Sequence, residues 1–305
     1  MNRTFKVLLS GVILGMLSLT SCIKEDNSDC PRPFSIYLKA LDADDKDITA
    51  NGDVKNAVVF IINDQGDVIK TLKMTEEQIK SRVPIEVEFQ YGQKGSVRVS
   101  AWGNINEQIG FPNPASIKHV DEIKATLKSA GEGLSMQPSD LFQGEIVAPI
   151  VTGGLEPSGN HVVEIRRKTA QVSMTAVGLK QWNSNKEGKY SFILRKVQSL
   201  YDNKGAFGGT ETGISVDGTT DADGVMTKTG LFRAFPPKNS EAYVVDILFN
   251  GTVIHSASVG KDGKPFVPTL GKVLNIVIDF YSSISVSVVI TDWDEVYQHI
   301  ILGNK

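Results

Sequence analysis

Short segments of alternating apolar and polar residues recur along most of the chain. The clearest spans residues 283–290, where isoleucine or valine occupies every even position and serine occupies 283, 285 and 287. A period of two places alternate side chains on opposite faces of a β-strand, so that one face is buried and the other meets water. Other alternating or wholly apolar runs cover residues 34–38, 58–62, 85–89, 97–101, 172–176, 243–249 and 274–280. The pattern predicts an all-β fold with roughly seven strands in each half of the chain.

Turn-forming residues separate these runs, and helical patterns are few. Thr75-Glu76-Glu77-Gln78 has the form of a capping box and predicts one short helix. Val120, Ile123 and Leu127 have helical spacing and predict a second helix over residues 117–129. Turns are predicted at residues 63–66, 202–205, 223–224 and 261–263, and a long polar insertion at residues 205–223. Many short strands with few helices favour β-sandwiches over an α/β fold.

The amino terminus has the organisation of a signal peptide. Arg3 and Lys6 form a short basic region, and an apolar run follows from Val7 to Leu19. About 13 helical residues span about 20 Å, which is too short for a hydrocarbon core of about 30 Å. A cleavable signal therefore explains the run better than a transmembrane helix does.

The apolar run ends in Leu19-Thr20-Ser21-Cys22, which matches the lipobox of bacterial lipoproteins. The small residues let the chain enter a narrow peptidase site, and the cysteine thiol takes the lipid. We predict cleavage after Ser21, which makes residues 1–21 the signal peptide, and acyl chains such as palmitate on Cys22. Each buried CH₂ contributes about 0.8 kcal/mol, so several acyl chains anchor a protein stably without a spanning helix.

Residues 22–32 are polar and proline-bounded, and we interpret them as a lipidated tether. Lys24, Glu25 and Asp26 resemble the acidic export signal of some Gram-negative surface lipoproteins, although a tether is also charged simply because it is solvated. Because Cys22 is committed to lipid, no intramolecular disulfide is expected. Cys30 then either pairs with another chain or remains a thiol.

The mature chain is long enough for two domains. One strand-like run ends in Arg166-Arg167-Lys168, and a new apolar run begins at Ala170. We therefore predict an N-terminal β-sandwich over residues 33–168 and a C-terminal β-sandwich over residues 169–305. Removal of the signal peptide leaves 30 basic and 35 acidic residues, a formal charge of −5. This mild acidity, without a basic cluster, argues against nucleic acid as a partner.

The sequence contains no motif for catalysis or for a cofactor. The four histidines, at 119, 161, 255 and 299, are not at metal-ligand spacing, and phosphate-loop, dinucleotide-binding and nucleophile-elbow motifs are missing. Aspartates within residues 42–47 and 217–224 have the odd spacing of cation-binding loops, but Lys46 stands where the first stretch needs an oxygen ligand. Neither stretch ends in the bidentate glutamate, so we interpret both as solvated turns. We expect no catalytic, cofactor-binding or metal site, and no enzyme.

Four segments together resemble the fimbrillin-associated anchor lipoproteins, which sit at the base of type V fimbriae. They are the mature amino terminus 22–31, Ala101-Trp102-Gly103-Asn104, Asp140-Leu141-Phe142-Gln143-Gly144 and Ile290-Thr291-Asp292-Trp293. Each is short, but their order after a lipobox spans nearly the whole chain.

The resemblance implies a fold and a role. It implies two tandem transthyretin-like β-sandwich domains, in agreement with the strand pattern. It also implies a non-polymerising or terminating subunit that holds a fimbria (pilus) at the outer membrane and limits its length. The implied partners are a fimbrial shaft subunit and, through lipid on Cys22, the outer membrane.

Strand addition is the mode of assembly that the resemblance implies. Shaft subunits of such fimbriae lose an N-terminal strand to an arginine-specific protease, and the emptied groove accepts an extended segment from a neighbour. An anchor would keep its N-terminus, because cleavage would separate it from its lipid. Arg32 and Arg82 are the first arginines after the lipidation site, so the sequence leaves cleavage open.

The carboxyl terminus is the candidate contact with the shaft. Val296, Tyr297, Ile300, Ile301 and Leu302 are apolar enough to fill pockets along a strand donated to a neighbouring subunit. Alternatively, this segment is the last strand of its own sandwich. The sequence supports both interpretations.

Two other functions compete with fimbrial anchoring. A surface lipoprotein of this architecture could bind a glycan or a host protein, and exposed aromatic residues on one sheet face would favour that function. Trp102, Trp182 and Trp293 are the candidates, although a tryptophan at a strand end more often belongs to the core. A hydrolase would need clustered Asp, Glu or His residues, which the sequence does not show.

Overall fold

The structure is a computed structural model, and it describes residues 28–154, 156–281 and 283–297. Regular structure in these residues is almost entirely β-strand, which confirms the predicted all-β fold. The first half contains β1 (Phe34–Leu41), β2 (Asn56–Ile62), β3 (Val68–Thr75), β4 (Ile85–Val87), β5 (Ser96–Gly103), β6 (Ile109–Gly110), β7 (Lys124–Leu127), β8 (Ser129–Gly131), β9 (Leu134–Ser135), β10 (Phe142–Pro149) and β11 (Asn160–Arg167). The second half contains β12 (Ala170–Val177), β13 (Tyr190–Asp202), β14 (Phe207–Asp217), β15 (Thr219–Thr220), β16 (Met226–Lys228), β17 (Phe232–Ala234), β18 (Val244–Phe249), β19 (Thr252–Ala257), β20 (Val273–Asp279) and β21 (Ser285–Thr291).

Short helical segments interrupt the strands. Helix α1 (Glu76–Lys80) begins after Thr75, whose hydroxyl accepts a hydrogen bond from the Gln78 N–H while the Gln78 side chain accepts one from the Thr75 N–H. The predicted capping box is therefore confirmed. Helix α2 spans Leu179–Trp182, and 3₁₀ segments span Thr49–Asn51, Val120–Glu122 and Lys238–Ser240. No helix in the described part of the chain is long and apolar enough to cross a membrane.

The helix predicted over residues 117–129 is wrong. One 3₁₀ turn, Val120–Glu122, is followed directly by strand β7. Ile123, Ala125 and Leu127 are all buried, so the true period is two. A spacing of four residues fits both a helix and a strand, and Ala125 carried too little hydrophobic signal to decide between them.

The first sheet has the strand order β3-β2-β5-β10-β11-β1-β4. Strand β1 lies inside it, parallel to β11 on one side and antiparallel to β4 on the other. One face of this sheet encloses a core that includes Phe34, Ile36, Leu38 and Val59. The strands therefore curl around a core made largely by residues of the first half.

Two further sheets form a sandwich in the second half. One has the order β15-β16-β12-β20-β21, with β17 also paired to β12, and the other has the order β19-β18-β13-β14-β9-β8. Strand β7 pairs with β13, and β6 pairs with β7, so the segment 109–135 from the first half contributes strands to the last sheet. Trp102 and Phe60 belong to the same core as Phe192 and Ile276. The domain boundary between residues 168 and 169 remains a prediction.

The segment 205–223, predicted to be a polar insertion, contains strand β14. It pairs along β13 from Phe207 to Asp217. Glycine and threonine fill most of its first half, and residues 209–211 are exposed. A strand with so few apolar side chains gives no alternation to recognise in the sequence.

Candidate functional site

The residues predicted to attach and export the protein lie outside the described residues. They are Cys22, with its predicted lipid, and Lys24, Glu25 and Asp26. The same is true of Ile300, Ile301 and Leu302 at the carboxyl terminus. The roles of these seven residues remain predictions.

The last residues of the predicted tether are hydrogen-bonded to the loop between β10 and β11. The Arg32 N–H donates to the Val151 carbonyl at 2.8 Å, and its guanidinium donates to the carbonyls of Glu156 and Pro157. The Cys30 carbonyl accepts a hydrogen bond from the Gly153 N–H at 3.0 Å. The tether is thus fixed to the fold before the first strand begins.

Strand β1 carries this connection into the centre of the first sheet. Phe34, Ile36, Leu38 and Ala40 have no exposed surface. The pairing with β11 runs without interruption from Ser35 to Leu41. Burial of each large apolar side chain contributes about 1.5–3 kcal/mol. Residues next to the tether are therefore among the most firmly packed in the protein.

A buried arginine lies at the other end of β11. The Arg167 Nε donates to both carboxylate oxygens of Asp140, at 3.1 and 3.0 Å, and its Nη2 lies 3.2 Å from Asp53 Oδ2. The guanidinium carbon lies 4.8 Å from the ring centroid of Phe142 and 4.3 Å from that of Trp293. Two carboxylates and two aromatic faces therefore surround one cation, which is 5% exposed. We call Arg167, Asp53, Asp140, Phe142 and Trp293 the arginine centre.

Asn104 positions the two acidic loops of the arginine centre. It has a left-handed backbone, with φ at 60°. Its side-chain amide donates to the carbonyls of Asp53 and Asp140, at 2.8 and 2.9 Å, and its side-chain oxygen accepts from the Lys55 N–H. Burial raises the pKa of Asp140 to about 6, against the charge and hydrogen bonds of Arg167, which lower it.

Three of the four segments that carried the family resemblance meet at the arginine centre. Asn104 ends segment 101–104, Asp140 and Phe142 belong to segment 140–144, and Trp293 ends segment 290–293. Within segment 140–144, Gly144 is required by close approach, because a Cβ there would lie 1.8 Å from the Glu164 carbonyl oxygen of β11. Sequence reasoning found these segments but missed Arg167 and Asp53. The only sequence signal for Arg167 was its place in the basic run 166–168 at the predicted domain boundary.

A cavity of about 270 Å³ lies beside the arginine centre. Lys272 sits at its edge, 2.7 Å from Asp292 and hydrogen-bonded to Asp44. These two carboxylates raise the pKa of Lys272, which keeps the ammonium charged. The Asp42 carboxylate accepts the N–H groups of Asp44 and Lys46, both at 2.9 Å. The aspartates of residues 42–47 are therefore engaged in a turn and in ion pairs, as the turn interpretation predicted.

The second aspartate-rich stretch is also a turn. The Asp221 carboxylate accepts hydrogen bonds from the N–H groups of Val225 and Met226, at 2.7 and 3.1 Å. Within the described residues, no group of three or more His, Cys, Asp or Glu side chains is arranged to hold a metal ion.

The carboxyl-terminal segment begins on the outer face of its own sheet. Gln171 and Asp294 exchange two hydrogen bonds, at 2.7 and 2.8 Å, and the Tyr297 N–H donates to the Asn275 side chain at 3.1 Å. The side chains of Val296 and Tyr297 are 49% and 42% exposed. Both predicted donor residues in the described part are therefore accessible, while the backbone beside them is held by β12 and β20.

The three tryptophans have three different environments. Trp102 is fully buried in the core, as predicted, and Trp293 is partly buried against Arg167. Trp182 is 43% exposed, so its assignment to the core is wrong. Trp182 lies at the end of α2, and its ring packs against that of Phe280, with the two centroids 5.0 Å apart. The rest of the Trp182 side chain is in solvent.

Comparisons with known proteins agree with one another. A family described as "Mfa2: Fimbrillin-A associated anchor proteins Mfa1 and Mfa2" matches residues 27–299. The chain is 31% identical to the "Major fimbrium anchoring subunit FimB" of Porphyromonas gingivalis strain W83, over 98% of this chain and 99% of that one. A second sequence of the same name from Porphyromonas gingivalis is 32% identical, over 98% of each chain. The solved structure of the fimbrial anchor protein Mfa2 from Porphyromonas gingivalis superposes with a TM-score of 0.62 at 13% identity, over 87% of this chain and 98% of that one.

Proposed function

Because this chain belongs to the family of fimbrillin-A associated anchor proteins, we propose that it anchors a fimbria to the cell surface. The observation that carries the proposal is the likeness to anchoring subunits over 98% of the chain. In this proposal the protein is an outer-membrane lipoprotein held by lipid on Cys22. It is a structural subunit and not an enzyme.

The position of β1 suits an anchor mechanically. A fimbria pulled away from the cell loads the chain between the tether at Arg32 and the rest of the fold. The load enters β1 along its length, and β1 is hydrogen-bonded on both sides, to β11 and to β4. Hydrogen bonds loaded in this direction resist together instead of opening one at a time. The lipid and the sandwich therefore stay joined under tension.

Retention of the N-terminal strand supports the same role. Arg32 is followed by Pro33, and a bond that precedes proline is a poor protease substrate because its nitrogen lies in a ring and carries no N–H. Arg82 is exposed, but a cut there would leave β1 paired between β11 and β4. In this proposal the chain keeps the strand that shaft subunits are expected to lose.

Length limitation follows if the chain can donate a strand but cannot accept one. The place of β1 in the first sheet is already filled by the protein's own strand. The segment from Val296 onward is the proposed donor to the first shaft subunit. A subunit with one usable end terminates a polymer, so the number of anchors relative to shaft subunits would set fimbrial length.

Deletion of the gene tests the proposed function. Cells that lack the chain should shed their fimbriae into the medium, and the shed fimbriae should be longer than those of the parent. Reintroduction of the full chain should restore attachment and length. Normal numbers of attached fimbriae of normal length in the deletion strain would refute the proposal.

A further inference from the structure

One end of the second sandwich contacts the loop that follows β1. Strands β12 and β20 are parallel, and both begin near the first sheet. Lys272, just before β20, pairs with Asp44, and Gly271 lies against Ala43. The opposite end of this sandwich is where β12 and β20 finish, at Val177 and Asp279. Strand β1 separates the tether from Asp44, and β20 separates Lys272 from this far end.

Three large apolar side chains lie half-exposed at the far end. Trp182, Tyr281 and Ile284 have 43%, 51% and 44% of their surfaces exposed. Trp182 ends α2, Tyr281 lies two residues after β20, and Ile284 directly precedes β21. We call these three residues the distal patch.

The two aromatic side chains of the distal patch are held in place by their neighbours. The Trp182 ring lies 5.0 Å from the buried ring of Phe280. The Tyr281 ring lies over Gly178, where a Cβ would be only 3.0 Å away, and Gly178 has a φ of 71°. The register Asp279↔Ser285 places Ile284 across from Phe280. Side chains fixed in this way lose little conformational entropy on binding.

Single exposed apolar residues need no explanation, but a group containing Trp and Tyr matches the composition of binding hot spots. Trp182 packs against Phe280, which is 4% exposed, yet 43% of the surface of Trp182 itself remains in solvent. The distal patch therefore has the properties of an interaction surface.

Residues 294–297 run toward the same end. Asp294 contacts Gln171, which pairs with Val273, and Tyr297 contacts Asn275, two residues further along β20. Eight residues follow Tyr297 in the sequence. Fully extended, they span about 26 Å, whereas the five residues from Asn275 to Phe280 span about 17 Å. The chain is long enough for its terminus to reach beyond the distal patch.

We infer that the distal patch is the docking surface for the first fimbrial subunit, which presents an apolar surface beside the groove that receives the donor segment. This inference rests on the proposed anchoring function. The patch lies at the end of the second sandwich where β12 and β20 finish, whereas the tether joins the first sheet at the start of β1. A subunit that binds there contacts the patch and the carboxyl terminus together.

The test compares two variants in cells. In one, Trp182→Ala and Tyr281→Ala remove the aromatic part of the patch from the full-length chain. The control is Tyr91→Ala, because Tyr91 is 72% exposed and lies in the loop whose Lys94 pairs with Asp29 of the tether. The fraction of fimbrial protein released into the medium is measured at equal surface levels of the anchor. We expect at least a tenfold increase in release with the double variant and no change with Tyr91→Ala.

Two further arms separate the possible failures. If deletion of the whole gene leaves fimbriae attached, the proposed function fails. If deletion releases fimbriae but the double variant retains them, only the distal patch is refuted.

Ile284→Lys gives a second variant if the double variant has a lowered melting temperature, and it should also release fimbriae. A glycan array on the purified chain completes the test, since glycan binding that depends on Trp182, with fimbriae still attached, would overturn the inference.

Discussion

The guanidinium carbon of Arg167 lies 4.3 Å from the ring centroid of Trp293. Arg167 ends β11 in the first half of the chain, and Trp293 follows the last described strand of the second half. The contact joins the two halves at the point from which the carboxyl-terminal segment departs. The stability of this junction should therefore affect how the terminus is presented.

Replacement of Arg167 by methionine should destabilise the fold strongly. The substitution keeps much of the volume but leaves the carboxylates of Asp53 and Asp140 without their cation. Breaking a buried ion pair in this way costs about 3–5 kcal/mol. The matched control is Arg166→Met, because the Arg166 side chain is 40% exposed and its pairs with Asp45 and Glu164 contribute about 1 kcal/mol at most. Equal losses in urea unfolding for the two variants would contradict the importance of the arginine centre.

Asp140 should give the protein a characteristic pH dependence. Its pKa in the folded state, about 6, lies above the ordinary value of 3.8 because burial disfavours the charged form. Between these values the folded state binds more protons than the unfolded state, so the contribution of this group to stability rises as pH falls from 7 to 5. The free energy of unfolding of the wild type, relative to that of Asp140→Asn, should therefore increase on acidification. A relative decrease would show that Arg167 dominates and lowers the pKa of Asp140.

Much of this fold was predictable from the sequence. The runs around β1, β2, β5, β12 and β20 alternate or are wholly apolar because their burial is set by position in a sheet, and that periodicity survives in the residue order. The arginine centre was not predictable, because its members are separated by up to 240 residues and no local pattern shows that Arg167 turns inward. Trp182 was misassigned for a related reason, since exposure depends on what the neighbouring hairpin leaves uncovered.

Lipid attachment should depend on one thiol. Cys22→Ala should abolish labelling with a radioactive or clickable fatty acid and leave unprocessed precursor or released protein. Cys30→Ala is the natural control, because it removes the other cysteine and should leave labelling intact. An unmodified Cys22 in the mature wild-type protein, found by mass spectrometry, would contradict the anchoring mechanism.

The carboxyl-terminal residues 298–305 should be needed for attachment and not for folding. Deletion of these eight residues leaves the hydrogen bonds of Asp294 and Tyr297 in place, so the melting temperature should change by only a few degrees. Fimbriae should nevertheless be shed. A loss of several kcal/mol in stability would instead assign the segment to its own sandwich, since it would expose apolar surface that the segment covers.

The position of the chain on the fimbria tests the central claim most directly. Immunogold electron microscopy with an antibody against this chain should label wild-type fimbriae at the end nearest the cell, with no label along the shaft. Fimbriae shed by the deletion strain should carry no label at either end. Label distributed along the shaft, or confined to the end far from the cell, would contradict an anchoring role.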